Sequence, residues 1–511
     1  MDDFTVEGRL YSAAECAQVR PGSGHVGLAL SGGGSRTAAA CIGALRTLRD
    51  LGLLAEVRAI SAVSGATWCT VPFTFLPAAF DEDAFLGQRA VDPAKLQLGG
   101  EGPASLGHLP AGALGQRFTE LGMSTLALLG GSLADGARGV PGHRLWSRQI
   151  AEQILVPFEL AAFDEAHRPI DWFAPDAATE AAIRAHSPGL PARCYTVRAS
   201  ERAPRPELRV QIALRAQDDQ GRTTLVPTFL SPTVAGIPGT ACGTLDGRPV
   251  GGGGVSSYAF GGYRVGPTTL RIEAPLALSD LTGIASSAYA ADQTEGITPL
   301  LGYFGPEWPM PAGAAGRFVD AGLLENSGVA SLLACEEIEA IIAVVNPPQG
   351  MDRAGDDVVV EAQIARLFGY RPYDKRTGWQ RAQPDDEGDG RHCQVFASDE
   401  GQFQQLLAAL GDRRAAGDAT AYSQALTTVD NARFAVRGGR QVRVLWVVQT
   451  AAARWMDALT PPVRLALGPK FPNIPTAFTA LPAPQVNGLS HFADWLLDQS
   501  RAALEALFER R

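Results

Sequence analysis

Two stretches decide the fold: LALSGGGSR at residues 28–36 and VRAISAVSGATW at residues 57–68. Each begins as an apolar run typical of a buried strand and ends in small residues that lead toward helical sequence. A helix is predicted between them, from about Thr37 to Leu51, with Gly52 as its stop. Two strands around one helix form a parallel pair with a right-handed crossover, so an α/β fold is expected.

The same two stretches contain residue types suited to acyl transfer. The glycine turn offers bare backbone N–H groups at a helix start, and Ser64 lies on a sharp strand-to-helix bend. A serine in such a bend is a candidate nucleophile, and amide hydrogens beside it stabilise an oxyanion. A dinucleotide-binding turn is disfavoured, because its third glycine would fall at Thr37 and no acidic residue ends the second strand. No Gly-Lys-Ser/Thr of a phosphate-binding loop occurs there.

Ser64 and Arg36 each have a structural alternative. The bend Ala62-Val63-Ser64-Gly65-Ala66 has alanine where the usual G-x-S-x-G elbow has glycine, and Ser64 could instead cap a helix. Arg36 places a cation at a helix N-terminus, where it opposes the helix dipole. That placement is expected if an anion such as a lipid phosphate binds there, and the alternative is pairing with a nearby carboxylate.

Bulk composition restricts the class of protein. The 511 residues are 46% hydrophobic and 19% charged, with a net charge of −10, so a globular chain that does not bind nucleic acid is expected. Seven scattered cysteines without a CxxC pair predict neither a disulfide framework nor a zinc site. The acidic opening MDDFTVEGRL has no apolar signal region, and no apolar run reaches 18 residues. We therefore expect a cytoplasmic location, with signal-independent export left open.

The chain divides into three predicted parts: an irregular arm at 1–24, a catalytic domain at 25–480 and an amphipathic C-terminal helix within 481–511. A helix-rich insertion or cap is expected at about 73–190, and a mobile polar loop at 371–391. The glycine-rich residues 235–266 are predicted to be loop, with Gly251–Gly254 as a flexible connector rather than a phosphate cradle. Further elements are predicted at His25–Leu30, Val57–Val63, His143–Phe158, Leu208–Leu214, Thr223–Leu230, Ala340–Val345, Val442–Gln449 and Ser490–Glu509.

The motif SGGGSR followed by AVSGATW resembles the patatin-like phospholipases, and more closely the catalytic domain of cytosolic phospholipase A2. Gly65, Thr67 and Trp68 match that branch, whereas Ala62 and Ala66 depart from it. The resemblance implies a three-layer α/β/α fold with a central, mostly parallel sheet. It also implies a Ser-Asp dyad that works without histidine, metal or cofactor.

The resemblance assigns the remaining site residues. The segment FVDAGLLEN at 318–326 matches the aspartate motif, so Asp320 is the expected general base. Gly33 and Gly34 are expected to supply the oxyanion amides, and Arg36 to bind the substrate phosphate. A weaker echo lies at FPNIPT, residues 471–476. The implied reaction is hydrolysis of acyl esters in phospholipids or lysophospholipids.

Several alternatives stay open at this point. A conventional triad in the order Ser64, Asp320 and either His392 or His491 is one. A transacylase would share the acyl-enzyme, and the Ala62 and Ala66 substitutions allow a non-catalytic lipid-binding module. Transient contact with a membrane or micelle is expected through apolar patches, for which the candidates are Trp68, Val71–Phe80 and Tyr303–Met310, including Trp308.

Overall fold

A computed structural model describes residues 4–18, 24–90, 92–121, 139–140, 144–200, 204–240, 242–288, 303–306, 315–355, 357–383, 392–399 and 401–509. Of the predicted apolar segment Tyr303–Met310, only the strand at 303–306 is described. Trp308 therefore lies outside the described residues, as do residues 384–391 of the predicted polar loop.

One sheet dominates the described chain and contains fourteen strands. Three smaller sheets account for the other strands. The strands in chain order are β1 Phe4–Glu7, β2 Leu10–Ser12, β3 Val26–Leu30, β4 Val57–Val63, β5 Asp171–Ala174, β6 Arg193–Thr196, β7 Glu207–Gln217, β8 Thr223–Leu230, β9 Val234–Ile237, β10 Thr244–Leu245, β11 Arg248–Pro249, β12 Gly253–Ser256, β13 Tyr263–Arg264, β14 Thr269–Ile272, β15 Tyr303–Pro306, β16 Ala315–Asp320, β17 Ala340–Val345, β18 Asp352–Ala354, β19 Asp357–Val359, β20 Ala421–Thr427 and β21 Gln441–Val448.

Helices pack around this sheet, and short 3-10 turns follow β4 and β16 at Ser64–Ala66 and Ala321–Leu323. The α-helices in the described residues are α1 Ala13–Ala17, α2 Gly34–Asp50, α3 Thr67–Phe75, α4 Glu82–Leu86, α5 Leu114–Glu120, α6 Leu145–Ile154, α7 Ala177–His186, α8 Leu278–Ala285, α9 Val329–Leu333, α10 Ala362–Leu367, α11 Gln402–Ala415, α12 Ala453–Ala458, α13 Pro461–Leu467, α14 Ala483–Gln499 and α15 Arg501–Phe508. Among them, none combines the length and the apolar character needed to cross a bilayer.

The centre of the main sheet is parallel. Its strand order is β2-β12-β9-β8-β7-β4-β3-β17-β21-β20, and the run from β7 to β21 pairs in parallel. Every residue of β3 and β17 is buried, as expected for strands with helices on both faces. The predicted α/β class is confirmed, but both flanks of the sheet are antiparallel because hairpins such as β7–β8 build them.

Two helices pack against each other over the sheet. Every residue of α2 from Gly34 to Arg49 is buried, and at Gly43 a Cβ would lie 2.0 Å from the carbonyl oxygen of Ser490 in α14. Only glycine permits this approach between helix backbones. The C-terminal segment forms two helices, α14 and α15, rather than the single predicted helix, and the chain bends at Ser500.

Two loop predictions are wrong. The N-terminal arm is not irregular, because β1 pairs with β14 and β2 pairs with β12. The glycine-rich region contains strands, and Gly253 and Gly254 lie in β12 between β9 and β2. A Cβ on Gly254 would come within 2.4 Å of Cys16 Sγ. Glycine at this position therefore makes room for the N-terminal arm and does not mark a flexible connector. The predicted division of the chain into three parts stays a prediction.

Candidate active site

The register of the sheet brings the ends of two distant strands together. Two strands pair in succession with the same edge of β7. β4 runs parallel to β7, and its last pair is Val63–Gln211. β16 runs antiparallel to β7, and its last pair is Asp320–Ile212. Gln211 and Ile212 are neighbours, so β4 and β16 stop head to head. Ser64, the residue after β4, therefore meets Asp320 although 256 positions separate them in the chain.

Ser64 sits on a bend that few residues adopt. Its φ is 51°, in the left-handed region that costs a non-glycine residue about 1–2 kcal/mol. Its carbonyl oxygen accepts a hydrogen bond from Thr67 Oγ1 at 2.6 Å, which ties the bend to the start of α3. The Ser64 hydroxyl donates to Asp320 Oδ2 at 2.7 Å. Strain of this kind at a partly exposed hydroxyl is typical of a functional position.

Asp320 is 1% exposed, so its carboxylate lies almost wholly out of water. Burial raises the pKa of Asp320 to about 7, against the smaller lowering effects of hydrogen bonds from Ser64 and the Gly322 amide. The Gly322 N–H donates to Oδ1 at 2.7 Å and fixes the plane of the carboxyl group. A carboxylate with this pKa can both take up and release a proton near neutral pH.

The glycine turn lies directly beside the serine. Gly33 has φ 149° and Gly34 has φ 62°, values that favour glycine, and α2 begins at Gly34. In the described part of the chain neither of their amides donates to a protein acceptor, as is normal for the first N–H groups of a helix. A Cβ on Gly65 would lie 2.3 Å from Gly34 O, so the two turns touch backbone to backbone.

Asn326 joins the glycine turn to the aspartate loop, a link that the sequence analysis missed. Its carbonyl oxygen accepts from the Gly32 amide at 3.0 Å. The Asn326 side chain also lies against both loops. A Cβ on Gly32 would lie 2.2 Å from Asn326 Oδ1, and a Cβ on Gly322 would lie 2.7 Å from the same atom. The asparagine stands in the quoted motif FVDAGLLEN, which is the only sequence signal for it.

Arg36 is 2% exposed and its guanidinium turns toward protein acceptors. It donates to Asn346 O at 2.8 Å, to Thr476 Oγ1 at 3.4 Å and to Ile474 O. Burial lowers the pKa of Arg36 to about 10, so it stays a cation at neutral pH. Its expected role as a phosphate ligand stays a prediction, although a phosphate would have to compete with these acceptors.

The two histidines of the alternative triad are held by other contacts. His491 is buried in α14 with Nδ1 3.4 Å from Asp494 Oδ2 and 3.4 Å from Arg46 Nη2, and burial lowers its pKa. It lines a cavity of about 450 Å³ whose wall includes neither Ser64 nor Asp320. The His392 carbonyl accepts from Asn431 Nδ2 at 2.7 Å. Since Ser64 donates to Asp320 directly, no imidazole stands between them.

The apolar candidates for lipid contact need correction. Trp68 is 3% exposed, and residues 71–76 are buried as well, because α3 packs its aromatic side chains into the core. Within the described ranges, the large apolar side chains that face solvent are instead Leu10, Val156, Val265, Leu465 and Phe478. Phe478 follows Thr476, whose carbonyl oxygen lies 3.4 Å from the position of a Cβ on Gly34. An exposed phenylalanine thus flanks the glycine turn.

The described residues contain no group of three or more His, Cys, Asp or Glu side chains placed to hold a metal ion. The arrangement described above offers a hydroxyl, a carboxylate and backbone amides. Together they match the groups that acyl transfer through a serine requires.

The chain has a cytosolic phospholipase A2-like α/β fold. Its structure resembles that of human GIVD cytosolic phospholipase A2 with a TM-score of 0.52 at 14% sequence identity, over 97% of this chain and 64% of that one. The same enzyme in complex with methyl gamma-linolenyl fluorophosphonate aligns with a TM-score of 0.44 at 15% identity, over 95% and 59% of the two chains. This chain thus spans less than two thirds of the enzyme it resembles. Neither a family model nor a curated protein matches the sequence.

Proposed function

We propose that this protein is a lipid acyl hydrolase of the phospholipase A or lysophospholipase type, acting through Ser64 and Asp320. The observation that carries the proposal is the 2.7 Å hydrogen bond from the Ser64 hydroxyl to a buried carboxylate, beside the unpaired amides of Gly33 and Gly34. The fold shared with a phospholipase supports the choice of lipid esters as substrates. Contact with a membrane or micelle surface is part of the proposal.

The mechanism follows from where charge moves. Asp320 takes the hydroxyl proton as Ser64 Oγ attacks the ester carbonyl, and the carbonyl oxygen gains negative charge opposite the Gly33 and Gly34 amides. Each such donor contributes roughly 3 kcal/mol to transition-state stabilisation. Asp320 then protonates the leaving alcohol and an acyl-Ser64 ester remains. In the second half, Asp320 takes a proton from water, which attacks this ester. Asp320 then returns the proton to Ser64 Oγ as the acyl–oxygen bond breaks and the fatty acid leaves.

The experiment that tests this function is release of fatty acid from a panel of phospholipids, lysophospholipids and monoacylglycerols. We expect release in the presence of a chelator, together with labelling of the protein by a fluorophosphonate probe. A protein that binds the lipids but neither releases fatty acid nor takes up the probe would contradict the proposal.

Activity is expected to rise with pH through about 7. Burial raises the pKa of Asp320 to about 7, and only the ionised carboxylate can accept the Ser64 proton. Below that value kcat/KM is expected to fall about tenfold for each pH unit. The measurement is the rate of fluorophosphonate labelling between pH 5 and 9, which needs no lipid aggregate. A labelling rate that stays constant down to pH 5 would contradict the role given to Asp320.

The substitution Phe478→Asp is expected to reduce hydrolysis of vesicle phospholipid by about tenfold or more, since burial of a phenylalanine stabilises binding by about 1.5–3 kcal/mol. Hydrolysis of a short-chain, water-soluble ester should not change. Val265→Asp is the matched control, because Val265 has the same 48% exposure and lies in another part of the chain. Equal losses on both substrates, or equal losses in both variants, would count against lipid contact through Phe478.

A further inference from the structure

The acceptors of the Arg36 guanidinium belong to two separate segments. Asn346 O follows the carboxyl end of β17, whereas Ile474 O and Thr476 Oγ1 belong to the segment 471–479. All three are neutral oxygens. One side chain of α2 thus joins three parts of the chain. The guanidinium does this with donors spread over a rigid planar fork, whereas a lysine ammonium has its three donors on a single nitrogen.

The segment 471–479 has further attachments near the same place. Ser35 Oγ donates to Thr479 O, and Asn473 Nδ2 donates to Pro347 O at 3.0 Å and to Gln449 O at 2.9 Å. These bonds tie the segment to the start of α2 and to the residues that follow β17 and β21. The segment is therefore held as a wall along the glycine turn.

The guanidinium also touches the turn itself. A Cβ on Gly33 would lie 2.5 Å from Arg36 Nη2, so the cation packs against the Gly33 backbone from inside the protein. On the other side, Thr476 Cγ2 and Thr476 O each lie 3.4 Å from the position of a Cβ on Gly34. The two glycines whose amides face the proposed oxyanion are thus held between Arg36 and the segment that Arg36 binds.

We propose that Arg36 is a positioning residue, which locks the Gly33–Gly34 turn against the segment 471–479, and that it does not bind the substrate phosphate. The inference rests on the proposed function, because it assigns the turn an oxyanion. It replaces the phosphate role that the sequence motif predicts for this arginine.

Release of the guanidinium toward a phosphate would have a structural cost. The Asn346 and Ile474 carbonyls would lose their donor inside the protein, and a buried acceptor left unsatisfied destabilises the folded state. The guanidinium already has three protein acceptors, and its Nη2 lies 2.5 Å from the position of a Cβ on Gly33. A phosphate ligand would need the guanidinium free of protein acceptors.

The decisive experiment compares substrates that differ only in phosphate. We expect Arg36→Lys and Arg36→Met to lower kcat by about 100-fold on both a lysophospholipid and the monoacylglycerol with the same acyl chain, because a displacement near 1 Å at the oxyanion costs about this much. KM should change little, and the ratio of kcat/KM for the two lipids should stay within about twofold. Rates are divided by the concentration of sites titrated with fluorophosphonate, so that loss of folded protein does not enter. A loss confined to the lysophospholipid, or no loss at all, would overturn the proposal.

Arg49→Lys provides the matched control. Arg49 lies at the far end of the same helix and is also buried, but it pairs with Asp50 of α2 and with Glu82 and Asp83 of α4. We expect its kcat to stay within about twofold of the unaltered protein. A loss as large as that of Arg36→Lys would mean that any weakening of α2 lowers activity, and the specific role of Arg36 would be wrong.

Hydrogen exchange tests the same inference without any activity. Arg36→Lys should speed amide exchange in residues 471–479 by about tenfold or more, whereas Arg49→Lys should leave that segment unchanged. If the unaltered protein neither hydrolyses esters nor takes up the probe, the proposed function is wrong. In that case amide hydrogen exchange alone decides whether Arg36 holds the segment 471–479 in place. Unchanged exchange in 471–479 would refute the positioning role whatever the activity.

Discussion

Ser64→Ala is expected to abolish both fluorophosphonate labelling and fatty acid release, with a fall in kcat of about 10³-fold or more, because the proposed acyl acceptor is removed. The fold should persist. Alanine and serine meet the same strain at φ 51°, and the bend keeps the bond from Thr67 to the carbonyl of residue 64. The labelling reaction followed by intact-protein mass spectrometry gives the stoichiometry directly.

Ser61→Ala is the matched control for this variant. Ser61 lies in β4, three residues before Ser64, and its buried hydroxyl has no hydrogen-bond partner in the described structure. Removal of that hydroxyl should leave labelling and hydrolysis intact. Labelling that survives in Ser64→Ala would place the reactive residue elsewhere and would sink the proposed mechanism.

Asp320→Asn is expected to lower kcat by about 10³-fold. The asparagine side chain can still form hydrogen bonds with Ser64 and with the Gly322 N–H, but it cannot take a proton. Any activity that remains should lose the rise through about pH 7. Glu325→Gln is the control, because Glu325 is a buried carboxylate of the same loop that bonds Ser327 instead of Ser64. Comparable losses in the two variants would indicate damage to the loop and not loss of a base.

The substitution Asp320→Asn also leads to a prediction about the free energy of unfolding. Burial raises the pKa of Asp320 from 3.8 to about 7, so the folded protein binds a proton that the unfolded chain has released between these values. The contribution of Asp320 to the free energy of unfolding therefore falls as pH rises from about 4 to about 7. Asparagine is neutral throughout. Asp320→Asn should accordingly be more stable than the unaltered protein at pH 8 and should lose that advantage at pH 4, as measured by urea unfolding.

The strands were the most predictable part of this molecule. Val57–Val63 and Ala340–Val345 match the structure to the residue, because buried parallel strands are mostly apolar runs with sharp ends, interrupted here only by Arg58 and Ser61 in the first. The prediction that residues 235–266 form a loop was wrong, because the contact that decides their structure is not local in sequence. Glycine commonly marks a loop, and nothing local reveals that Cys16, more than 200 positions earlier, fills the space beside Gly254.

The candidate site was predictable only where a motif marks it. The resemblance pointed to Ser64, Asp320 and the two glycines, and the structure brings all four together, while their roles stay proposals. The contacts of Arg36 with Asn346 and Ile474 were out of reach, because partners more than 300 positions away leave no local pattern. For the same reason the prediction of lipid contact through Val71–Phe80 is wrong for residues 71–76, which belong to the core.

Because β4 and β16 meet end to end on β7, the loops that connect these strands need no fixed length. What aligns the hydroxyl with the carboxylate is the adjacency of Gln211 and Ile212, not the count of residues between the two motifs. Insertions can therefore accumulate in the connecting loops without disturbing the chemistry. A single residue inserted between those two positions of β7 would instead turn one partner to the opposite face of the sheet.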